Sequence, residues 1–224
     1  EKYVETLLKH YRPFWDAGVQ VDIVDMDGDI SGYKLVVAPM LYMYRAGFEQ
    51  KMRAFVENGG TLVTTYWSGI VDESDLCRLG GVPGGMMDVF GVWNEEIDSL
   101  PDGVKNSVAV NGRSYDAFEL CARIHPITAE VLGTYEKDFY AGEPAVTKNR
   151  FGSGAAYYIA ARTGTDLLVD LYGGLISALG IARAIDTTLP AGVTAHERIG
   201  ENGAVVFVEN YNNAEETVEL PGGY

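Results

Sequence analysis

One stretch of this 224-residue sequence, residues 59–69, constrains the fold more than any other. Gly59 and Gly60 predict the end of a helix, and the β-branched run that follows them predicts a strand. Tyr66 and Trp67 stand where that strand stops. Ligands and chemistry gather at the carboxyl ends of strands in an open α/β sheet, so this stretch is where we first expect a site.

The chain before and within this stretch alternates between helix and strand patterns. Strands are predicted at residues 19–25 and 34–40 and a helix at residues 46–58, after an opening helix at residues 2–17. Such alternation predicts parallel pairing and right-handed crossovers. The predicted fold class is therefore α/β, a three-layer domain with a mainly parallel sheet. The core positions expected on its strands are Leu35, Val37, Val63 and Ile159.

The rest of the chain predicts less regular structure and a second domain. Its predicted elements are a short helix at 86–92, a strand at 107–110, a helix at 115–124, strands at 129–135, 145–150 and 155–160, and a helix at 166–179. The composition changes at residues 187–192, and Asn202 with Gly203 between two alternating runs then predicts a hairpin. A third strand is predicted at residues 216–220. We expect two domains, residues 1–186 and residues 187–224, the second being the start of a small antiparallel β domain.

The charge and the cysteine content argue against several classes of function. A net charge of −15 disfavours nucleic acid and anionic membranes as partners, because phosphate binding needs clustered Lys and Arg. No apolar run approaches the roughly 18 residues of a membrane span. Cys77 and Cys121 make no disulfide framework, which is typical of a reducing, cytoplasmic environment. The missing initiator Met indicates that the chain comes from a longer protein.

Two short patterns look like metal sites but lack the necessary ligands. The acidic turn at residues 25–29 lacks the Gly and Glu positions of a calcium loop. Cys121 and His125 are four residues apart, as two ligands on one helix face would be, but no other Cys or His lies near them in sequence. We therefore expect no metal and no cofactor, with Cys121 a buried apolar residue and His125 at a helix end.

Candidate catalytic groups are equally sparse. A nucleophile elbow needs small residues on both sides of the nucleophile, and Ser68 is the candidate here, with a bulky residue on one side. The adjacent Glu95 and Glu96 are expected to point to opposite faces of a strand, so they do not form a glycosidase pair. No catalytic residue is expected in this chain.

Aromatic residues are concentrated where the predicted strands end. They form pairs after the second and third strands and in a loop before a later one, so all are expected near one edge of the sheet. Either ordinary loop packing or a protein interface or sugar platform accounts for such a group. The candidate interface residues are Tyr42, Tyr44, Tyr66, Trp67, Phe139 and Tyr140.

Several long segments, in order, resemble a known family. They are YRPFWDAG and VDIV within residues 11–24, YKLVVAPMLYM at 33–43, FVENGGTLVTTYWSGIVDE at 55–73, DFYAG at 138–142 and NRFG at 149–152. Together these segments resemble the middle, trimerisation domain of the family 42 glycoside hydrolases, the bacterial β-galactosidases. The likeness covers about residues 1–186, and residues 187–224 resemble the start of that family's C-terminal β domain.

The resemblance implies a flavodoxin-like fold, similar to the class I glutamine amidotransferases but without their active site. The amidotransferase nucleophile would fall near Trp67, where no Cys stands. The family's catalytic glutamates lie in an upstream barrel that is absent here, so this chain is expected to be a non-catalytic homotrimer-assembly domain. The parent enzyme would hydrolyse terminal β-D-galactosides, bound by that barrel, with retention. The alternative is a free-standing amidotransferase-like hydrolase that uses Ser68 or Cys77.

Overall fold

The computed structural model describes residues 2–201 and 203–220. The chain divides into two compact units: Val24–Gly164, and a unit made by the two ends of the chain, up to Ile23 and from Thr165 onward. In chain order the elements are α1 (Tyr3–Asp16), β1 (Leu35–Ala38), α2 (Phe48–Glu57), β2 (Thr61–Thr65), α3 (Met87–Phe90), β3 (Val92–Ser99), β4 (Lys105–Val110), β5 (Arg113–Pro126), β6 (Glu130–Tyr135), β7 (Pro144–Phe151), β8 (Gly154–Ile159), β9 (Ala161–Thr163), α4 (Thr165–Ala178), β10 (Val193–Gly200) and β11 (Gly203–Asn210).

The unit Val24–Gly164 is built on one mixed sheet, which has nine strands among the described residues. Its order is β1-β2-β8-β7-β6-β4-β5-β3, with β9 paired to β5. At one end of this sheet β1, β2 and β8 run parallel, with α2 between β1 and β2 in sequence, while antiparallel pairs extend the sheet beyond β8. The α/β fold class is confirmed, and the sheet also contains more antiparallel pairing than the sequence suggested.

The stretch at residues 59–69 folds as its sequence predicts. Gly59 follows α2 with a φ of 106°, a backbone conformation that glycine adopts without strain. All five residues of β2 are buried, because the strand is paired on both sides and the sheet is packed against apolar side chains of α2. The tight turn Gly152–Gly154 that joins β7 and β8 is also present as predicted.

Three predicted elements are wrong, and the third of them, at residues 216–220, belongs to the second unit described below. Residues 19–25 form no strand in the described chain, because the apolar alternation there has no neighbouring strand with which to share backbone hydrogen bonds. Residues 115–124 form the middle of β5, not a helix. The left-handed backbone of Glu119 (φ 65°) falls where β5 changes partner from β4 to β3, so the strand's two-residue period breaks there and imitates helical spacing.

The burial of the four expected core residues depends on the strand that carries them. Val63 and Ile159 are buried, with 0% and 1% of their surface exposed. Leu35 and Val37 are half-buried, because β1 stands at the end of the described sheet and is paired on one side, with β2. Their expected full burial is therefore wrong.

The second unit contains α1, α4 and the β10–β11 hairpin. Phe14 of α1 packs on Tyr172 of α4 with ring centroids 4.7 Å apart, and Nδ1 of His10 lies 2.5 Å from the Tyr172 hydroxyl. The hairpin is antiparallel over its whole length, as predicted, although Asn202 of its turn lies outside the described residues. The third strand expected at residues 216–220 is not formed, since these residues pair with no strand of the described chain.

Candidate functional site

The turn after β2 has a strained backbone at its exposed residue, Trp67. Trp67 adopts a φ of 60°, in the left-handed region where a side chain is strained. A sharp, strained turn after a buried strand is the backbone shape that exposes a nucleophile in hydrolases. Here it exposes an indole, of which 36% is accessible.

The Ser68 side chain has a structural role. It is fully buried, and its Oγ accepts a hydrogen bond of 3.0 Å from the backbone N–H of Leu41, in the turn after β1. Thr65 makes the equivalent bond one step earlier, its Oγ1 accepting from the N–H of Met40 at 2.7 Å. These two bonds tie the strand-end turns together, and they leave the Ser68 hydroxyl inaccessible to a substrate.

Both cysteines are free, in different environments. Cys77 is exposed in the loop that follows this turn. Cys121 is buried on β5, where burial raises the pKa of its thiol to about 11. The helix expected to carry Cys121 and His125 is a strand, and four residues along a strand span about 13 Å, too far to share one ion. No group of His, Cys, Asp or Glu side chains within the described residues is arranged to hold a metal.

The six candidate interface aromatics separate into an exposed set and a buried set. Tyr42 and Trp67 are each 36% exposed and stack with ring centroids 6.0 Å apart, and Phe139 is 70% exposed. The buried set, at 1% exposure or less, is Tyr44, Tyr66 and Tyr140.

The buried tyrosines fill the core of the sheet unit. Tyr44 packs against Phe48 of α2 at 4.6 Å. Tyr140 stands edge-on to Tyr135 at 4.9 Å, and its hydroxyl donates a hydrogen bond of 2.9 Å to Asp98 of β3. Burial raises the pKa of both Tyr44 and Tyr140.

Two exposed leucines lie near the exposed aromatic pair and were not predicted as site residues. Leu76 is 65% exposed and Leu79 is 99% exposed, both in the loop after the Trp67 turn. The hydroxyl of Tyr42 donates to Asp75 of this loop at 3.3 Å, which places the loop beside the aromatic pair. We call the set Tyr42, Trp67, Leu76 and Leu79 the edge patch. The acidic run at residues 72–75 could have indicated an exposed turn there.

Arg78 anchors the loop that carries the two leucines. Its guanidinium forms an ion pair with Glu49 of α2, and both side chains are largely buried. The same guanidinium donates to the carbonyl of Tyr44 at 3.1 Å. Arg78 therefore fixes the position of this loop, while its two leucines remain exposed to solvent.

A second polar cluster surrounds Arg123 on β5. The guanidinium makes two hydrogen bonds to Glu143, of 2.8 and 2.9 Å, and lies 3.0 Å from Glu96 and 3.5 Å from Glu95. Hydrogen bonding to Arg123 lowers the pKa of Glu143. The expectation that Glu95 and Glu96 face opposite ways is wrong, because a bulge between Asn94 and Glu96 brings both carboxylates to one guanidinium.

The cluster continues outward through an aromatic pair. His125 Nε2 lies 2.7 Å from Glu95, and the His125 ring stacks on Trp93 with centroids 4.6 Å apart. The guanidinium of Arg123 also lies 5.3 Å from the centre of the Phe139 ring. Each of the three glutamates therefore contacts the Arg123 guanidinium or the His125 imidazole. These contacts hold the side chains in place at the surface, and none of the three carboxylates is left without such a partner.

The fold and this turn together define an α/β domain in which an exposed indole stands on a strained turn at the end of a buried strand. The comparison with family models assigns it: the chain belongs to the β-galactosidase trimerisation domain family, which matches residues 1–182. A second model, the β-galactosidase C-terminal domain, matches residues 192–224. The family resemblance seen in the sequence is confirmed.

Relatives are similar along almost the whole chain. β-Galactosidase Pbg of Clostridium perfringens is 50% identical over 97% of this chain, and BglY of Alicyclobacillus acidocaldarius is 45% identical over 97%. The crystal structure of a β-galactosidase from Rahnella sp. R3 superimposes with a TM-score of 0.96 at 47% identity over 99% of the chain. Gan42B, a family 42 β-galactosidase from G. stearothermophilus, gives a TM-score of 0.91 at 41% identity over 94% of the chain.

The chain spans about a third of the length of these proteins: 33% of each of the two curated relatives, and 34% and 31% of the two crystallised chains. It corresponds to their trimerisation region, with the beginning of the C-terminal domain. Separately, none of the described helices is both long enough and apolar enough to cross a membrane.

Proposed function

We propose that this chain is the non-catalytic assembly part of a cytoplasmic β-galactosidase, and that the parent enzyme forms a homotrimer through it. Residues 1–186 form the trimerisation domain in this proposal, and residues 187–224 begin the C-terminal β domain. The parent hydrolyses terminal non-reducing β-D-galactosides with retention, in a barrel that this chain does not contain. The chain itself uses no cofactor and binds neither nucleic acid nor membrane.

The edge patch carries the assembly part of the proposal. An exposed stacked pair beside two protruding leucines is apolar surface that a monomer seldom leaves in water. Aromatic anchors with an apolar surround are typical of interface centres. Burial of this patch also offsets the repulsion between copies that each carry a net charge of −15.

The symmetry of a trimer determines which surface of the neighbouring subunit the edge patch contacts. A three-fold ring is built from heterologous contacts, in which one surface of each subunit meets a different surface of the next. The edge patch is bordered by Asp72, Glu73 and Asp75, so a copy of itself would bring like charges together. It therefore contacts another surface of the neighbouring subunit.

Leu79→Asp in the full-length enzyme tests this arrangement. Leu79 is 99% exposed, so the substitution leaves folding unchanged, while a buried charge at an interface costs several kcal/mol of association. We expect the variant to dissociate on dilution at concentrations where the wild type stays trimeric. Light scattering across a dilution series measures the mass.

Ser153→Asp is the matched control. Ser153 lies in the exposed β7–β8 turn, at the opposite edge of the sheet, and receives the same added charge. We expect it to remain trimeric. If the Leu79 and Ser153 variants dissociate alike, or neither does, the edge patch is not the interface.

The lack of catalysis is tested on the chain alone. Trp67 in the place of the nucleophile and the buried Ser68 hydroxyl predict no turnover of a chromogenic galactoside, ester or amide. The full-length enzyme serves as the positive control. Turnover by the isolated chain that survives repurification from a host lacking β-galactosidase would contradict the proposal.

A further inference from the structure

The unit formed by the chain ends contains a groove that the assembly role does not use. Its volume is about 350 Å³, at the lower end of the roughly 300–1,000 Å³ typical of small-molecule sites. One wall comes from α1 and the segment after it, and the other from the β10–β11 hairpin. Trp15 and Gln20 line the first wall, and His196, Arg198, Phe207 and Glu209 line the second.

The hairpin register explains why these side chains meet. His196 pairs directly with Phe207 across the two strands, and in a two-residue period Arg198 and Glu209 fall on the same face as that pair. The aromatic residues thus occupy the middle of the wall. Glu209 pairs with Thr194, so it lies four residues, or about 13 Å, along the strand from Arg198.

The opposite wall is also aromatic. The Trp15 and His196 rings lie 3.8 Å apart at their centroids, and Tyr11 lies 5.9 Å from Trp15. Half of the Phe207 surface is exposed. A continuous band of rings therefore lines the groove, with a guanidinium toward one end and a carboxylate toward the other.

One acceptor in the groove is held in place and is available to a ligand with hydroxyl groups. The carboxylate of Glu209 is held by the hydroxyl of Tyr211, which donates to it at 3.1 Å. That bond occupies one oxygen and leaves the other available as an acceptor.

We propose that this groove binds one neutral hexopyranose ring of a saccharide. A pyranose presents a face of C–H groups, which packs on aromatic rings, and a rim of hydroxyls, which bond to planar polar groups. Phe207 and Trp15 supply the first element, and Arg198, Glu209 and Gln20 supply the second. The site goes beyond the assembly function, and it depends on a different unit from the one that carries the edge patch.

The test is a titration of the whole 224-residue chain with methyl β-D-galactopyranoside, followed by saturation-transfer NMR and tryptophan fluorescence. No barrel is present in this chain to bind the sugar. We expect saturable binding with a Kd of roughly 1–10 mM, as is usual for one small, highly hydrated ligand. The carbon-bound protons of one sugar face should receive the strongest saturation.

Variants assign the binding to the groove. Arg198→Gln and Phe207→Ala alter exposed side chains, so the fold is retained, and each should weaken binding about tenfold or more. Trp67→Ala removes an exposed indole in the other unit and should leave the Kd unchanged. Melting curves confirm that each variant is folded.

Two results would overturn the proposal. One is the absence of saturable binding by the folded wild-type chain. The other is binding that neither Arg198→Gln nor Phe207→Ala weakens, since the sugar would then sit elsewhere. Both results are independent of whether the parent enzyme is a trimer.

Discussion

The exposed and the buried aromatics of the sheet unit differ although they are neighbours in sequence. Tyr66 is buried and Trp67 is 36% exposed; Phe139 is 70% exposed and Tyr140 is buried. The inward residues are tyrosines that pack among other rings, and the Tyr140 hydroxyl has found a carboxylate partner. The outward residues contact each other or a cation at the surface.

This difference separates folding from assembly. A buried aromatic ring contributes to the stability of the subunit, because its removal leaves a cavity. An exposed aromatic ring contributes little until a partner covers it. Mutations of the two sets should therefore change different measured quantities, the free energy of unfolding for one and the mass of the oligomer for the other.

The largest effect on stability is expected at β2, the buried strand that leads to Tyr66 and Trp67. Val63→Asp places a charge at a fully buried position of β2, which should cost several kcal/mol and abolish cooperative folding. Val131→Asp, at a position 41% exposed on β6, is the matched control and should melt close to the wild type. A Val63 variant that melts within about two degrees of the wild type would show that β2 is not in the core.

The next largest effect is expected within the Phe139–Tyr140 pair. Tyr140→Ala should destabilise the chain by about 3–5 kcal/mol, and Tyr140→Phe, which loses the bond to Asp98, by about 1 kcal/mol. Phe139→Ala should cost less than about 1 kcal/mol, because it loses an exposed ring and a cation–π contact. Urea unfolding measures all three, and equal losses at the two positions would remove the distinction between the sets.

The Arg123 cluster predicts a smaller, pH-dependent effect. Hydrogen bonding to Arg123 lowers the pKa of Glu143 in the folded chain, so the stabilisation is present above the ordinary glutamate pKa of 4.5 and is lost as the pH falls through the lowered value. Glu143→Gln should therefore cost about 1 kcal/mol at pH 7, and the difference from wild type should shrink below pH 4.5.

Urea midpoints of both proteins between neutral pH and pH 3 give this comparison. Glu130→Gln, at an exposed glutamate of β6, is the control and should run parallel to the wild type. If the urea midpoints of the wild type and Glu143→Gln differ by the same amount at every pH, the negative charge of Glu143 does not contribute to stability.

The smallest effect on folding is expected at Trp67. Trp67→Gly relieves a left-handed backbone, a gain that the greater freedom of glycine in the unfolded chain partly offsets, so stability should change by less than about 1 kcal/mol. Trp67→Ala keeps the strain and should be the less stable of the two. Both remove the indole and should weaken the full-length trimer equally.

Calorimetry and light scattering on the same two variants separate the two contributions. If Trp67→Gly unfolds the chain, the indole belongs to the core and the comparison fails. If oligomer mass is unchanged in both variants while stability behaves as expected, the edge patch faces something other than a neighbouring subunit.

The sequence alone determined the parts of the fold that depend on local pattern. The run of Gly59 and Gly60 followed by β2 was recognisable because glycine caps and a continuous apolar strand are local signals. The same holds for α4 and for the β10–β11 hairpin, whose alternation and turn lie within a few residues.

Only the tertiary structure decided what depends on distant partners. Residues 19–25 alternate like a strand yet pair with none, and β5 looked helical because its phase shifts at Glu119, where its partner changes. The bulge that turns Glu95 and Glu96 toward one arginine leaves no trace in local spacing. Which of two adjacent aromatics faces inward is likewise set by the packing around them, because a strand-end turn such as that at Trp67 can direct either side chain to the surface.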